Sequence, residues 1–113
     1  MKVYKARGGI AVRDGDYCFL GEVISGEINI ISSHRHVFKR AMDLDNVRMP
    51  SRYVPPISFT LRCVKLFLEG LPKGDYYFYG EDDGRRLRVY TKVLERWGYK
   101  LESDGFYCRF SVN

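Results

Sequence analysis

Between Pro56 and Val112 the spacing of apolar residues changes period at each break, from helical to extended, back to helical, and then to a strict alternation. Few folds accommodate that order. Ile57, Leu61, Val64 and Leu68 fall on one stripe, with Thr60, Cys63 and Phe67 beside it, so the spacing predicts a helix over 57–69. Ser58, Arg62, Lys65 and Glu69 form its polar face, Pro56 suits the first turn, and Gly70 with Pro72 ends it. A strand is predicted at 75–79, and a second amphipathic helix over 85–97. That helix turns Val89, Tyr90, Val93, Leu94 and Trp97 inward and sets Arg88, Lys92 and Arg96 four apart on the outside. Gly98 is its natural stop. Tyr99–Glu102 and Phe106–Val112 flank Ser-Asp-Gly, and Phe106, Cys108, Phe110 and Val112 alternate against Tyr107, Arg109 and Ser111, as in an antiparallel ribbon.

The first half reads as extended chain. Val3–Arg7, Ile10–Arg13 and Tyr17–Ile24 form a β-meander with a tight turn at Asp14-Gly15, and Glu27–Ile31 adds a fourth strand after Ser25-Gly26. Beyond it the pattern weakens. His36–Leu44 is read as a short helix behind a Ser33 cap, and 43–55 as an irregular loop. The chain is therefore expected to be a single α+β (α/β) domain: a meander over 1–31, an irregular crossover over 32–55 and a helix-strand-helix-hairpin over 56–113. Its sheet should be mixed but mainly antiparallel, of about six strands, with two main helices.

A chain of 113 residues builds one core and not two, and 45% hydrophobic with 15% aromatic residues offsets the entropy of ordering it. No apolar run reaches the ~18–20 residues of a membrane span, and Met1-Lys2-Val3-Tyr4-Lys5 lacks the apolar segment of a signal peptide, so an intracellular protein is expected. Three cysteines, at 18, 63 and 108, each lie within an apolar pattern, which favours buried free thiols over a disulfide framework. Nineteen basic against 14 acidic residues give a net charge of +5, compatible with a polyanionic partner. A nucleic-acid reader also needs exposed aromatics among its cations, and only Tyr77 and Tyr79 offer themselves.

Leu94-Glu95-Arg96-Trp97-Gly98-Tyr99-Lys100-Leu101, followed by Tyr107, resembles the late helix, Gly-aromatic exit and closing strands of the GCN5-related N-acetyltransferase superfamily. About fifty-five residues take part. The resemblance implies an acetyltransferase-like second half, acetyl-coenzyme A as cofactor and transfer of its acyl group to an amine. The basic, Tyr-containing helix over Arg85–Tyr90 is similar to those of small phage-encoded proteins of this kind, which implies a host cytoplasm. The departures are specific. The family's Arg/Gln-x-x-Gly-x-Gly/Ala loop, whose backbone amides hold the pyrophosphate, is replaced by Arg52-Tyr53-Val54-Pro55-Pro56, with no glycine and two donors lost to proline. Arg48, Arg52 and Tyr53 stand in as the cofactor-binding candidates. Leu94 occupies the place of the family's acid, a tyrosine, and Tyr90, one turn earlier, is the substitute. Glu22, the one acid on an otherwise apolar strand, is the candidate base.

The remaining chemistry is sparse. His34 and His36 make half of a metal site without a Cys, Asp or Glu at ligand spacing to complete it, so no metal is expected. Glu81-Asp82-Asp83-Gly84 is read as a turn in which Asp83 caps the following helix. A second function class stays open beside the enzyme: a non-enzymatic viral or mobile-element accessory protein that contacts a host macromolecule through its surface.

Overall fold

The computed structural model of the chain describes residues 1–37, 54–80, 85–104 and 106–113. The elements run β1 (Lys2–Ala6), β2 (Gly9–Asp14), β3 (Tyr17–Ile24), β4 (Glu27–His34), α1 (Ile57–Glu69), β5 (Gly74–Tyr79), α2 (Arg85–Arg96), β6 (Leu101–Ser103) and β7 (Tyr107–Val112). The strands follow the order β1-β2-β3-β4-β5-β7-β6. The expected fold class is corrected by this balance: among the described residues seven strands in a mixed sheet stand against two helices, a richer sheet than an acetyltransferase-like α/β plan carries. The reason is local. Gly8, Gly15 and Gly26 have φ of 77°, 58° and 82°, and Ser25 precedes the last at 51°, so each early strand turns straight back into the next and leaves no length for a helix.

The fold comprises two compact units, Met1–Glu22 with Asn29–Gly70 and Val23–Ile28 with Leu71–Asn113. In the first, β1 pairs β2 and β2 pairs β3 in antiparallel register, Lys2↔Arg13 and Asp14↔Tyr17 marking the ends. Ile10, Val12 and Phe19 are buried with Phe59, Cys63, Val64, Phe67 and Leu68 of α1. The helix has its expected bounds, but its buried stripe is turned from the expected one. Phe59 replaces Ile57, which sits in the exposed first turn at 60% accessibility. Gly21 lets the helix close on β3, since a Cβ there would stand 3.1 Å from two ring carbons of Phe67. β4 runs three residues past its expected end. Ser33, expected as a helix cap, is fully buried within the strand, and Ser32 Oγ shares a 2.8 Å hydrogen bond with Thr60 Oγ1 of α1. The expected helix over 36–44 and loop over 43–55 lie largely outside the described residues; of those described, His36 and Val37 form a turn.

The second unit is built on β5 and β7, antiparallel from Gly74↔Val112 to Tyr79↔Tyr107, with β6 beyond. Tyr76, Phe78, Cys108 and Phe110 are buried beneath Leu87 and Leu94 of α2. Phe78 stacks on Tyr90 with ring centroids 4.7 Å apart. Arg88, Lys92 and Arg96 face outward as their spacing requires, whereas Val89, expected inside, is 41% exposed. Gly98, φ 92°, ends α2 in a Schellman motif: its N–H bonds Glu95 O and that of Tyr99 bonds Leu94 O, both at 3.0 Å. Asp104 closes the final hairpin by accepting the N–H groups of Phe106 and Tyr107 at 3.0 and 2.9 Å. Among the described residues no helix is long and apolar enough to cross a membrane.

Candidate functional site

A strand inside a sheet normally spends its backbone donors and acceptors on both neighbours. β5 does so on one side only. Its six residues pair continuously with β7, while its parallel ladder with β4 is the single step Glu27↔Tyr77, supported by a 2.9 Å bond from Tyr77 N–H to Gly26 O. The Ser25-Gly26 turn produces that junction. A Cβ at Gly26 would lie 3.4 Å from the Asp75 carbonyl, so β5 approaches the turn at close range, and past Tyr77 its β4-side edge joins no ladder among the described residues. An extended, amide-bearing chain can add along such an edge.

Side chains paired across a ladder share a face, so the register defines what this unit presents on the side away from α2. Tyr77, Tyr79 and Tyr107 cluster there, with centroids 5.7 Å apart for Tyr77–Tyr107 and 5.0 Å for Tyr79–Tyr107. Arg109 lies 5.2 Å from the Tyr107 ring centre. Glu27 shares the face through Tyr77, Glu102 through Arg109, and Asp75 accepts a 2.5 Å hydrogen bond from Ser111 Oγ. The face is aromatic and acidic, with three carboxylates to one guanidinium.

The residues singled out in the sequence are scattered. Tyr90 is half-buried on α2, stacked on Phe78 within the second unit. Glu22 is exposed on β3, opposite Gly9. Arg48, Arg52 and Tyr53 lie outside the described residues, as does the Asp83 cap. All three cysteines are free thiols. Burial pushes Cys63 up to about 11 and raises Cys108 and Cys18, in the last case against the pull of Arg13 and Arg35, so none is activated as a nucleophile. Sequence reasoning missed a partner for the histidines. Asp16, eighteen residues before His34, brings a carboxylate to them, so that one ligand atom from each of Asp16, His34 and His36 lies within 4.8 Å of the others. Only the pairing of β4 with the β2–β3 turn could reveal it. No protein-family model, curated protein or solved structure matches the chain.

Proposed function

We propose that the protein binds acyl-coenzyme A and acts as a small N-acetyltransferase in the cytoplasm. The observation that carries this reading is the one-sided pairing of β5. A pantetheine arm is an extended chain with two amides, and the β5 edge beyond Glu27↔Tyr77 offers backbone groups to which an amide can hydrogen-bond. Arg48, Arg52 and Tyr53, outside the described residues, are the sequence's candidates for the phosphates, by side-chain charge in place of the backbone amides of a glycine loop. In the transfer step the acceptor amine loses a proton to solvent, and its nitrogen attacks the thioester carbonyl. Collapse of the tetrahedral intermediate breaks the C–S bond, and Tyr90 protonates the departing thiolate. Isothermal titration with acetyl-coenzyme A tests the reading. Micromolar binding that survives Tyr90→Phe, with amine acetylation lost in that variant, supports it, because phenylalanine keeps the stack on Phe78. Silence at millimolar ligand ends it.

The aromatic and acidic face favours a second reading, a module that captures a cationic segment of a partner protein. Tyr77, Tyr79 and Tyr107 provide cation–π surfaces, and Glu27, Asp75 and Glu102 provide counter-charge. A polyanion finds no complement there. Its partner surface is instead the outer stripe of α2, Arg88, Lys92 and Arg96, about 6 Å apart along the helix. Titrating an arginine-rich peptide while following tyrosine fluorescence distinguishes these surfaces: Tyr79→Ala abolishes peptide binding if the face is used, and unchanged binding removes that reading.

A further inference from the structure

We propose that Asp16, His34 and His36 form a binding site for a late first-row divalent cation, zinc in the first instance, that is independent of acyl-coenzyme A. Two imidazoles and a carboxylate are the donor set that such ions take from proteins, and three protein ligands leave a further position open. Sequence-distant elements deliver them. Gly15, at φ 58°, turns β2 into β3 and leaves Asp16 exposed on the hairpin. His34 is the last residue of β4, and the N–H of Arg35 bonds the Asp16 carbonyl at 2.7 Å, which ties the strand end to the hairpin. The turn from His34 O to Val37 N–H, 3.0 Å, then brings the rings of His34 and His36 into a stack 4.8 Å apart.

The spacing is that of ligands more than that of a hydrogen-bonded pair. His34 Nε2 stands 3.6 Å from Asp16 Oδ2, beyond a good N–H···O contact, yet donors on one tetrahedral zinc at ~2.1 Å sit about 3.4 Å from each other. All three donor atoms lie within 4.8 Å, so closure onto one ion needs shifts on the order of 1 Å from exposed or half-exposed side chains. The other carboxylate oxygen, Oδ1, is held by Arg35 Nε at 2.9 Å, an outer-shell contact that orients Oδ2 toward the histidines. Loading moves the His34 proton to Nδ1 and gives up the 3.4 Å contact that Nδ1 accepts from the His36 N–H. Beside the site an open hollow of about 420 Å³ is lined by Lys2, Arg13, Gly15 and Arg35, so an anion on the ion's open position would meet compensating charge.

The test is a titration of the full chain with zinc chloride against a chromophoric chelator. One equivalent should bind, and His36→Ala and Asp16→Asn should each weaken it at least about tenfold, with melting of the metal-free variants unchanged because both side chains are exposed. Cobalt(II) in place of zinc should give d–d bands without thiolate charge transfer. A thiolate band, variants that bind within threefold of the parent, or no saturable binding at about 100 μM zinc would each overturn the proposal. Acyl-coenzyme A titrations of the same variants should match the parent, so the fate of this site and that of the acyltransferase reading are read separately.

Discussion

Replacing Gly21 by alanine probes the closest approach of α1 to the meander. The added Cβ would stand 3.1 Å from Cδ2 and Cγ of Phe67 and 3.2 Å from Cε1 of Phe19, tighter than ordinary carbon contacts. Neither ring can swing clear, since Phe19 is 0% and Phe67 3% exposed. Overpacking of this kind costs roughly 1–3 kcal/mol, and alanine returns about 0.5–1 kcal/mol by restricting the unfolded chain, so the net loss is about 1–2 kcal/mol. That corresponds to a fall in melting temperature of about 5–10 °C for a domain of this size. Urea denaturation should show a lower midpoint at an unchanged slope. The pair Gly21→Ala with Phe67→Leu should recover part of the loss, with a coupling of at least about 0.5 kcal/mol. A Gly21→Ala protein as stable as the parent would refute the close packing of helix on strand described above.

Three further outcomes follow from single groups. Cys63 is shifted upward by burial, from 9.0 to about 11, so its stabilisation is complete below pH 9 and is lost as pH rises toward 11. Two pKa units amount to on the order of 2 kcal/mol, visible as an alkaline loss of stability in the parent that Cys63→Ala lacks. Phe78→Ala removes a buried ring stacked on Tyr90 and, at 5.9 Å, on Phe110. It should cost about 3–5 kcal/mol and flatten the near-ultraviolet dichroism of the tyrosines. Asp104 is held below its ordinary value by the N–H groups of Tyr107 and then Phe106. Its contribution is present above about pH 4 and fades as acid protonates it, so parent and Asp104→Asn should differ at neutral pH and converge in acid.

The helices and the closing ribbon were legible because their signals are local. Pro56 and Gly70 frame α1, and Gly98 adopts the left-handed turn that its place after α2 implied. Alternation likewise put Tyr107 and Arg109 on the outer face and Cys108 and Phe110 inside. Phe59 was missed because the first turn of a helix exposes a residue that periodicity alone would bury, here Ile57. The tight turns of the first half were legible too, at Asp14-Gly15 and Ser25-Gly26; the sheet-rich balance was missed because the acetyltransferase-like plan came from the resemblance of the second half. Asp16 beside His34, and the single β4–β5 step, depend on pairings between segments far apart in sequence, which no spacing rule records.

Fifty residues separate Glu27 from Tyr77, and one ladder step joins them. Closing so large a loop costs about 3 kcal/mol of chain entropy, against roughly 1 kcal/mol for the Tyr77–Gly26 hydrogen bond. The join must therefore await collapse of the hairpins and helices around it, as the last event of folding. By the same reasoning it is the first seam to part on warming, and its amide at Tyr77 should exchange with solvent sooner than those β5 shares with β7.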